Sequence, residues 1–262
     1  RNDIGGRVSL TFSPKTHRYR LDGLEVPSVT GLIKGGIPSP SLMYWSARTV
    51  AEYVADNPSD VEQLRSMGRS PMVAALKSVP WEKRDAAALK GTDIHALAER
   101  VVSGEDVDVP AEYLPHVQGY TDFLDRFGVR PVLTECSVAH RGHWYAGRFD
   151  LIADIGPDRW MLDAKTGSGI YPEAAVQTDA YRCAEFYVTD DAPDTEYPMP
   201  EGITRLGALH ITDAGTTLIP LRSDGEPFRD FLHAAYIAKR DKQRKGYVLA
   251  PITEPLHEGT AA

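Results

Sequence analysis

Apolar and polar positions along the chain change their period several times, and each change predicts an element. Alternation over residues 8–12 and 17–21, a turn at Asp22-Gly23 and a further run over 24–29 predict three short strands. The Gly/Pro-rich stretch 35–40 reads as a linker. Residues 41–55 set Leu42, Trp45, Val50 and Tyr53 at helical spacing, the pattern of an amphipathic helix. Further helices are expected over 61–76, over 81–102 with Gly104 just beyond, and over 110–127 closed by Gly128. The character changes at Arg130. Residues 132–138, 144–155 and 160–165 predict strands, the last two joined by the turn Gly156-Pro157-Asp158-Arg159. Pro172 opens a helix reaching about residue 188, with Glu173 in the first turn, where negative charge complements the dipole. Residues 189–200, rich in Pro and Asp, read as a loop. A hairpin over 206–212 and 216–221 and a closing helix over 228–245 complete the chain. This order predicts an α/β (α+β) fold, a mixed central sheet flanked by helices with a mainly helical N-terminal part. The 262 residues read as one domain, with 1–129 integrated with the sheet core and closing helix of 130–262.

Composition narrows the function. No apolar run is long enough to cross a bilayer, and residues 1–10 lack a signal-peptide core, so a cytoplasmic protein without membrane contact is expected. Cys136 and Cys183 are too few for a disulfide scaffold or a four-cysteine metal site, and small buried residues are expected there. The net charge of −8 argues against a protein that coats nucleic acid by charge alone. It leaves room for an enzyme whose carboxylates hold a cation. Basic runs over 15–20, with Lys15 and Arg18, and over 239–245 are candidate phosphate contacts or solvated faces.

Asp150 lies on one strand of the expected hairpin, in Gly147-Arg148-Phe149-Asp150. On the next strand Asp163 and Lys165 stand two apart and share a face. Two carboxylates meeting across a ladder repel each other, and a divalent cation relieves that repulsion. An ammonium beside them can orient or deprotonate a water, or stabilise a phosphorane-like transition state. An Asp-x-Lys alone is common. These charges, however, are embedded in apolar strands, where charged residues are scarce without a reason.

Five pieces in chain order resemble the PD-(D/E)xK nuclease superfamily, and more closely its RecB-like and phage-type exonuclease branch. They are Gly91-Thr92-Asp93-Ile94-His95, Glu135 within Thr134 to Val138, Gly147 to Asp150, Asp163 to Lys165, and Gln177-Thr178-Asp179-Ala180-Tyr181. The resemblance implies a restriction-endonuclease-like core and a DNA exonuclease dependent on one or two Mg²⁺ or Mn²⁺ ions. An endonuclease of the same fold and a catalytically inactive DNA-binding or assembly module are the alternatives. It implies His95, Asp150, Asp163 and Ala164 as the metal set. Asp150, Asp163, Lys165, Glu135, Gln177 and Tyr181 become the catalytic set, and Arg148, Tyr181, Lys15 and Arg18 DNA contacts. Glu99, one turn beyond His95, either supports the site or is solvent-facing. Gln177 and Tyr181 share a helix face and either meet the scissile phosphate or brace Lys165; core packing is an even alternative for Tyr181. Related CRISPR-associated nucleases carry four cysteines for an iron–sulfur cluster, and with two here no cluster is expected. His17-Arg18-Tyr19, Val26 to Thr30 and Trp45 resemble phage-type exonucleases more weakly. Tyr19, Tyr44 and Trp45 are candidates to stack on unpaired bases, with core packing favoured for Trp45. The implied partners are DNA and, by analogy, a single-strand annealing protein or helicase.

Overall fold

The computed structural model describes residues 10–13, 16–102 and 104–251. Three short strands, β1 (Leu10–Ser13), β2 (Arg18–Leu21) and β3 (Leu24–Val26), form an antiparallel sheet in that order. The first part of the expected strand over 8–12, and Lys15, lie outside the described residues. A helical region follows: α1 (Val29–Gly36), α2 (Pro40–Asp56), α3 (Pro58–Ser66), α4 (Arg69–Val102) and α5 (Leu114–Phe127). Then come β4 (Arg130–His140), β5 (Tyr145–Ile155), β6 (Asp158–Lys165), α6 (Glu173–Arg182), β7 (Phe186–Thr189), β8 (Ala192–Pro198), β9 (Ile203–Thr212) and β10 (Gly215–Leu221). The described chain closes with α7 (Glu226–Lys239), the short α8 (Asp241–Arg244) and one 3₁₀ turn. The seven long-sheet strands run in the order β10-β9-β6-β5-β4-β7-β8. Their pairings are antiparallel except β6 with β9, so the sheet is mixed and the fold is α+β, as the pattern predicts.

Several boundaries differ from expectation. The helix expected over 61–76 is split between α3 and α4 at Gly68, whose φ of 98° leaves the helical region, and the closing helix expected over 228–245 ends at Lys239 before the short α8. The stretch 29–36 is helix rather than strand and linker. Ser28 caps it by accepting from the Gly31 N–H at 3.0 Å, and Val29, Leu32 and Ile33 turn one apolar face inward. Gly36 is needed for packing: a Cβ there would sit 2.1 Å from the Ala234 carbonyl oxygen of α7. The helix expected over 81–102 is the end of one 34-residue helix that continues through Pro80. The helix opened by Pro172 ends at Arg182, because Phe186 and Val188 turn inward as alternate residues of a strand. The loop expected over 189–200 contains β8, whose prolines are tolerated at the sheet edge.

Helices cover both faces of the long sheet. On one face α1, α6 and α7 contribute Val29, Leu32, Val176, Ala180, Tyr181 and Phe231 to a core with Phe149, Met161 and Leu206. On the other, the end of α4 and α5 pack Ile94, Ala98, Tyr120 and Phe123 against Leu151, Leu162 and Leu209. The small sheet joins the body through Leu10, Tyr19, Leu21 and Val26 packed on Ala139, Ala146, Phe186 and Val188. Facing parity breaks once on β5. Phe149 and Ile152, three apart, both face the α6 side, while Leu151 and Ala153 face the α4 side. Asp150 lies at that break. On β4 the neighbouring irregularity is Glu135, a non-glycine residue at φ 50°. Such local breaks re-aim side chains and gather near functional sites.

Candidate active site

The site forms where β5 and β6 part. Their antiparallel register runs from Ile155 opposite Asp158 to Leu151 opposite Leu162. Beyond that point the Asp150 carboxylate takes over, accepting from the Ala164 N–H at 2.7 Å. A side-chain oxygen thus satisfies a backbone donor of β6, and the strands separate around it. The α4 helix brings His95 to the same place. Its Nε2 lies 2.9 Å from the Ala164 carbonyl oxygen and 3.9 Å from Asp150 Oδ2. Glu135 reaches in from β4. One ligand atom each from His95, Glu135 and Asp150 falls within 4.8 Å of the others, the single grouping of this kind among the described residues. Glu99, Tyr120 and Thr134 line the recess beside them.

Asp163 and Lys165 lie on the other side of β6, facing α6, because alternate residues of a strand point to opposite faces. Asp163 is buried at 2% exposure. Lys165 Nζ lies 2.6 Å from its Oδ2, a close ion pair. Gln177 of α6 ties the group together. Its Nε2 donates to Asp163 Oδ1 at 3.0 Å and to the Tyr181 hydroxyl at 3.2 Å, and its Oε1 accepts weakly from Lys165 Nζ at 3.4 Å. The glycine of the Gly-x-x-Asp strand has a cause here. A Cβ on Gly147 would stand 2.3 Å from Cε1 of the Tyr181 ring.

The electrostatics match this crowding. Burial, and then the charge of Asp163, push the Asp150 carboxyl up to about 7, against the opposing pull of His95 and Lys165. Burial acts to lower Lys165, but Asp163 and Asp150 outweigh it and hold the ammonium above its usual range. Glu99 is raised, by burial first and then by Glu135. One imidazole nitrogen, two carboxylates and the nearby Ala164 carbonyl make an oxygen-rich donor set that suits Mg²⁺ or Mn²⁺.

The structure gathers most of the expected set and rearranges part of it. His95, Asp150 and the Ala164 carbonyl converge as expected, and Glu135 joins them. Asp163 stands outside that converging group, with Lys165 and Gln177, across the gap between the strands. Gln177 braces Lys165. Tyr181, expected also at DNA, is only 4% exposed; it packs in the core with its hydroxyl on Gln177, so burial keeps it from a phosphate. Arg148 does not face open solvent alone; it is held between Glu135 and Asp190. Arg18 is exposed and lies 3.7 Å from Glu25. Of the candidate stacking residues, Tyr19 is buried at 7% whereas Tyr44 is 71% exposed. Pattern reading misses Asp190, a turn acid with no local signal, and the recess residue Tyr120, which is remote from the motifs.

No protein-family model matches the chain, and no curated protein is a significant match to it. No helix among the described residues is long and apolar enough to cross a membrane.

Proposed function

We propose that the chain is a Mg²⁺- or Mn²⁺-dependent deoxyribonuclease of the PD-(D/E)xK type, an exonuclease that hydrolyses DNA phosphodiester bonds at DNA ends in recombination or repair. One observation carries this reading. His95, Glu135 and Asp150 come from three separate elements and converge to within 4.8 Å, beside an Asp163–Lys165 pair braced by Gln177. A structural role explains this poorly. A carboxylate kept for stability would be matched by a cation, whereas Asp150 faces two further carboxylates with one backbone donor, and burial and Asp163 raise its carboxyl above the usual range.

Each side chain has a task in this reading. His95, Asp150 and Glu135, with the Ala164 carbonyl, would hold the ion, which when bound supplies Lewis acidity and a more acidic water. Asp150 also fixes β6 through the Ala164 N–H, so the His95 side and the Lys165 side keep their relative place. Lys165 is held as a cation by Asp163 and offers positive charge to the non-bridging oxygens as they become more negative in the transition state. Gln177 holds Asp163 and so the aim of Lys165. The partners in this reading are DNA and, by analogy, a strand-annealing protein or helicase, in the cytoplasm of a bacterium or an infected host cell.

The test uses end-labelled linear DNA and closed circular DNA, each with Mg²⁺, Mn²⁺ or EDTA. Metal-dependent loss of the linear substrate alone supports the exonuclease, and the label gives its polarity. Cut circles make it an endonuclease on the same site. No cleavage with either metal removes the catalytic reading and leaves a DNA-binding module.

A further inference from the structure

The irregular backbone at Glu135 has a partner chain of charges that no motif announces. Glu135 is a non-glycine residue at φ 50° in the middle of β4, a conformation that persists only when its surroundings hold it. Its carboxylate accepts from Arg148 Nε at 2.8 Å. The outer edge of the same guanidinium donates from Nη1 and Nη2 to the two oxygens of Asp190, at 3.1 and 3.0 Å. Asp190 follows the last residue of β7, and its side chain is 76% exposed. Arg148 and Glu135 are mostly covered, at 23% and 20%. The exposed turn acid thus fixes a covered arginine, and the arginine fixes the candidate ligand.

We propose that Arg148, anchored by Asp190, is the positioning residue that holds the Glu135 carboxylate in reach of His95 and Asp150. This rests on the metal-site reading above. Three features point to it. The guanidinium fork matches two carboxylates at once, which an ammonium cannot do with the same geometry. The anchor comes from the β7–β8 turn, so it tethers the site to the far edge strands of the sheet rather than to its own hairpin. The left-handed backbone at Glu135 is an irregularity of β4 at the edge of the recess, which the Glu135 side chain lines together with His95. Arg148 acts through Glu135 and not on DNA in this role. Its outer edge is taken by Asp190.

The test measures Mn²⁺ binding to the full chain without DNA, by the loss of the free-ion paramagnetic resonance signal, together with the unfolding temperature in EDTA. Asp190→Ala is expected to weaken Mn²⁺ binding about 10-fold, the size typical of a residue that orients a ligand, with an unchanged unfolding temperature. Asp190→Asn, which keeps the turn's shape, is expected to behave alike. Arg148→Lys is expected not to restore tight binding. In a Glu135→Gln background, Asp190→Ala is expected to cost nothing further, because both changes act on one carboxylate. Wild-type Mn²⁺ affinity in Asp190→Ala, or losses that add in the double variant, overturns the positioning role while leaving the metal site standing. A wild-type chain that binds no Mn²⁺ overturns both readings.

Discussion

Two acidic clusters stand within this molecule, and they are treated in opposite ways. One surrounds Arg141, just past β4. Its guanidinium donates to Asp22 at 2.9 and 3.0 Å and to Glu196 at 3.0 Å, and it stacks over the Phe186 ring at 4.6 Å. The backbone N–H groups of Arg141 and Gly142 donate to Glu185 at 2.9 and 3.1 Å, and His140 Nδ1 lies 2.8 Å from the same carboxylate. Burial pushes Glu185 up, but those N–H groups together with the charges of His140 and Arg141 outweigh it and hold the carboxyl below its usual range. The other cluster is the candidate site. There Asp150 has one backbone N–H and is raised to about 7 beside Asp163. The first cluster is complete within the chain and reads as structure. In the second, Glu135 and Asp163 have cations beside them in Arg148 and Lys165, and Asp150 is the carboxylate left under-compensated, which is what a site for an added cation requires.

The contrast can be broken or sharpened experimentally, beginning with the largest effect. Lys165→Ala is expected to lower kcat for DNA cleavage by about 10²–10³-fold, the scale of removing one preorganised charge-stabilising donor, while Mn²⁺ binding persists. Single-turnover kinetics beside Mn²⁺ titration would show it, and unchanged kinetics would make Lys165 structural. Next, Mn²⁺ at about 100 times its Kd is expected to stabilise the fold by about 2.7 kcal/mol, roughly 5–10 °C in Tm. EDTA should reverse the shift. A flat melting curve would mean that the under-compensated cluster holds no ion.

At the other cluster, Arg141→Ala is expected to cost about 1–2 kcal/mol in chemical denaturation, since partly exposed charge networks contribute little more. Cleavage should be unaffected. A loss of cleavage would join the two clusters functionally and end the comparison. The smallest effect concerns acid. Glu185 is depressed in the folded state, so its stabilisation is present above its ordinary value of 4.5 and is lost as pH falls through the lower folded value. His140 is lowered by burial and acts with the same sign from its ordinary 6.5 downward. Glu185→Gln should therefore flatten the acid limb of stability, whereas Arg141→Ala should largely keep it, because the donors to Glu185 are backbone N–H groups. Melting temperatures from pH 7 to pH 3 would separate the two variants.

These clusters also show what a sequence can and cannot announce. The long strands and α5 are legible because apolar periodicity and the Gly128 stop are local signals. Asp150, Asp163 and Lys165 stand out as charges inside apolar strands, while His95 and Gln177 are picked out only by the family resemblance, each in a short motif on one element. Helix α1 is obscured because Gly35-Gly36 resembles a linker, and only the approach of α7 explains those glycines. β8 is obscured because an edge strand accepts prolines and charges that suggest a loop. Two features of the site depend on contacts between distant residues and leave no local trace. One is the placement of Asp163 and Asp150 on opposite sides of the opened ladder. The other is the Asp190–Arg148–Glu135 chain, whose outer members are brought together by the pairing of β4 with β7.

The measurement that bears most directly on the account is cleavage of end-labelled linear DNA by wild type and by Asp163→Ala, side by side, in Mg²⁺ and in EDTA. Degradation is expected from the wild type in Mg²⁺ only. From Asp163→Ala, at matched fold content by circular dichroism, a loss of up to about 10²–10³-fold is expected, as for Lys165→Ala, because Asp163 holds Lys165. Wild-type activity that survives EDTA, or a folded Asp163→Ala that degrades DNA at the wild-type rate, would contradict it.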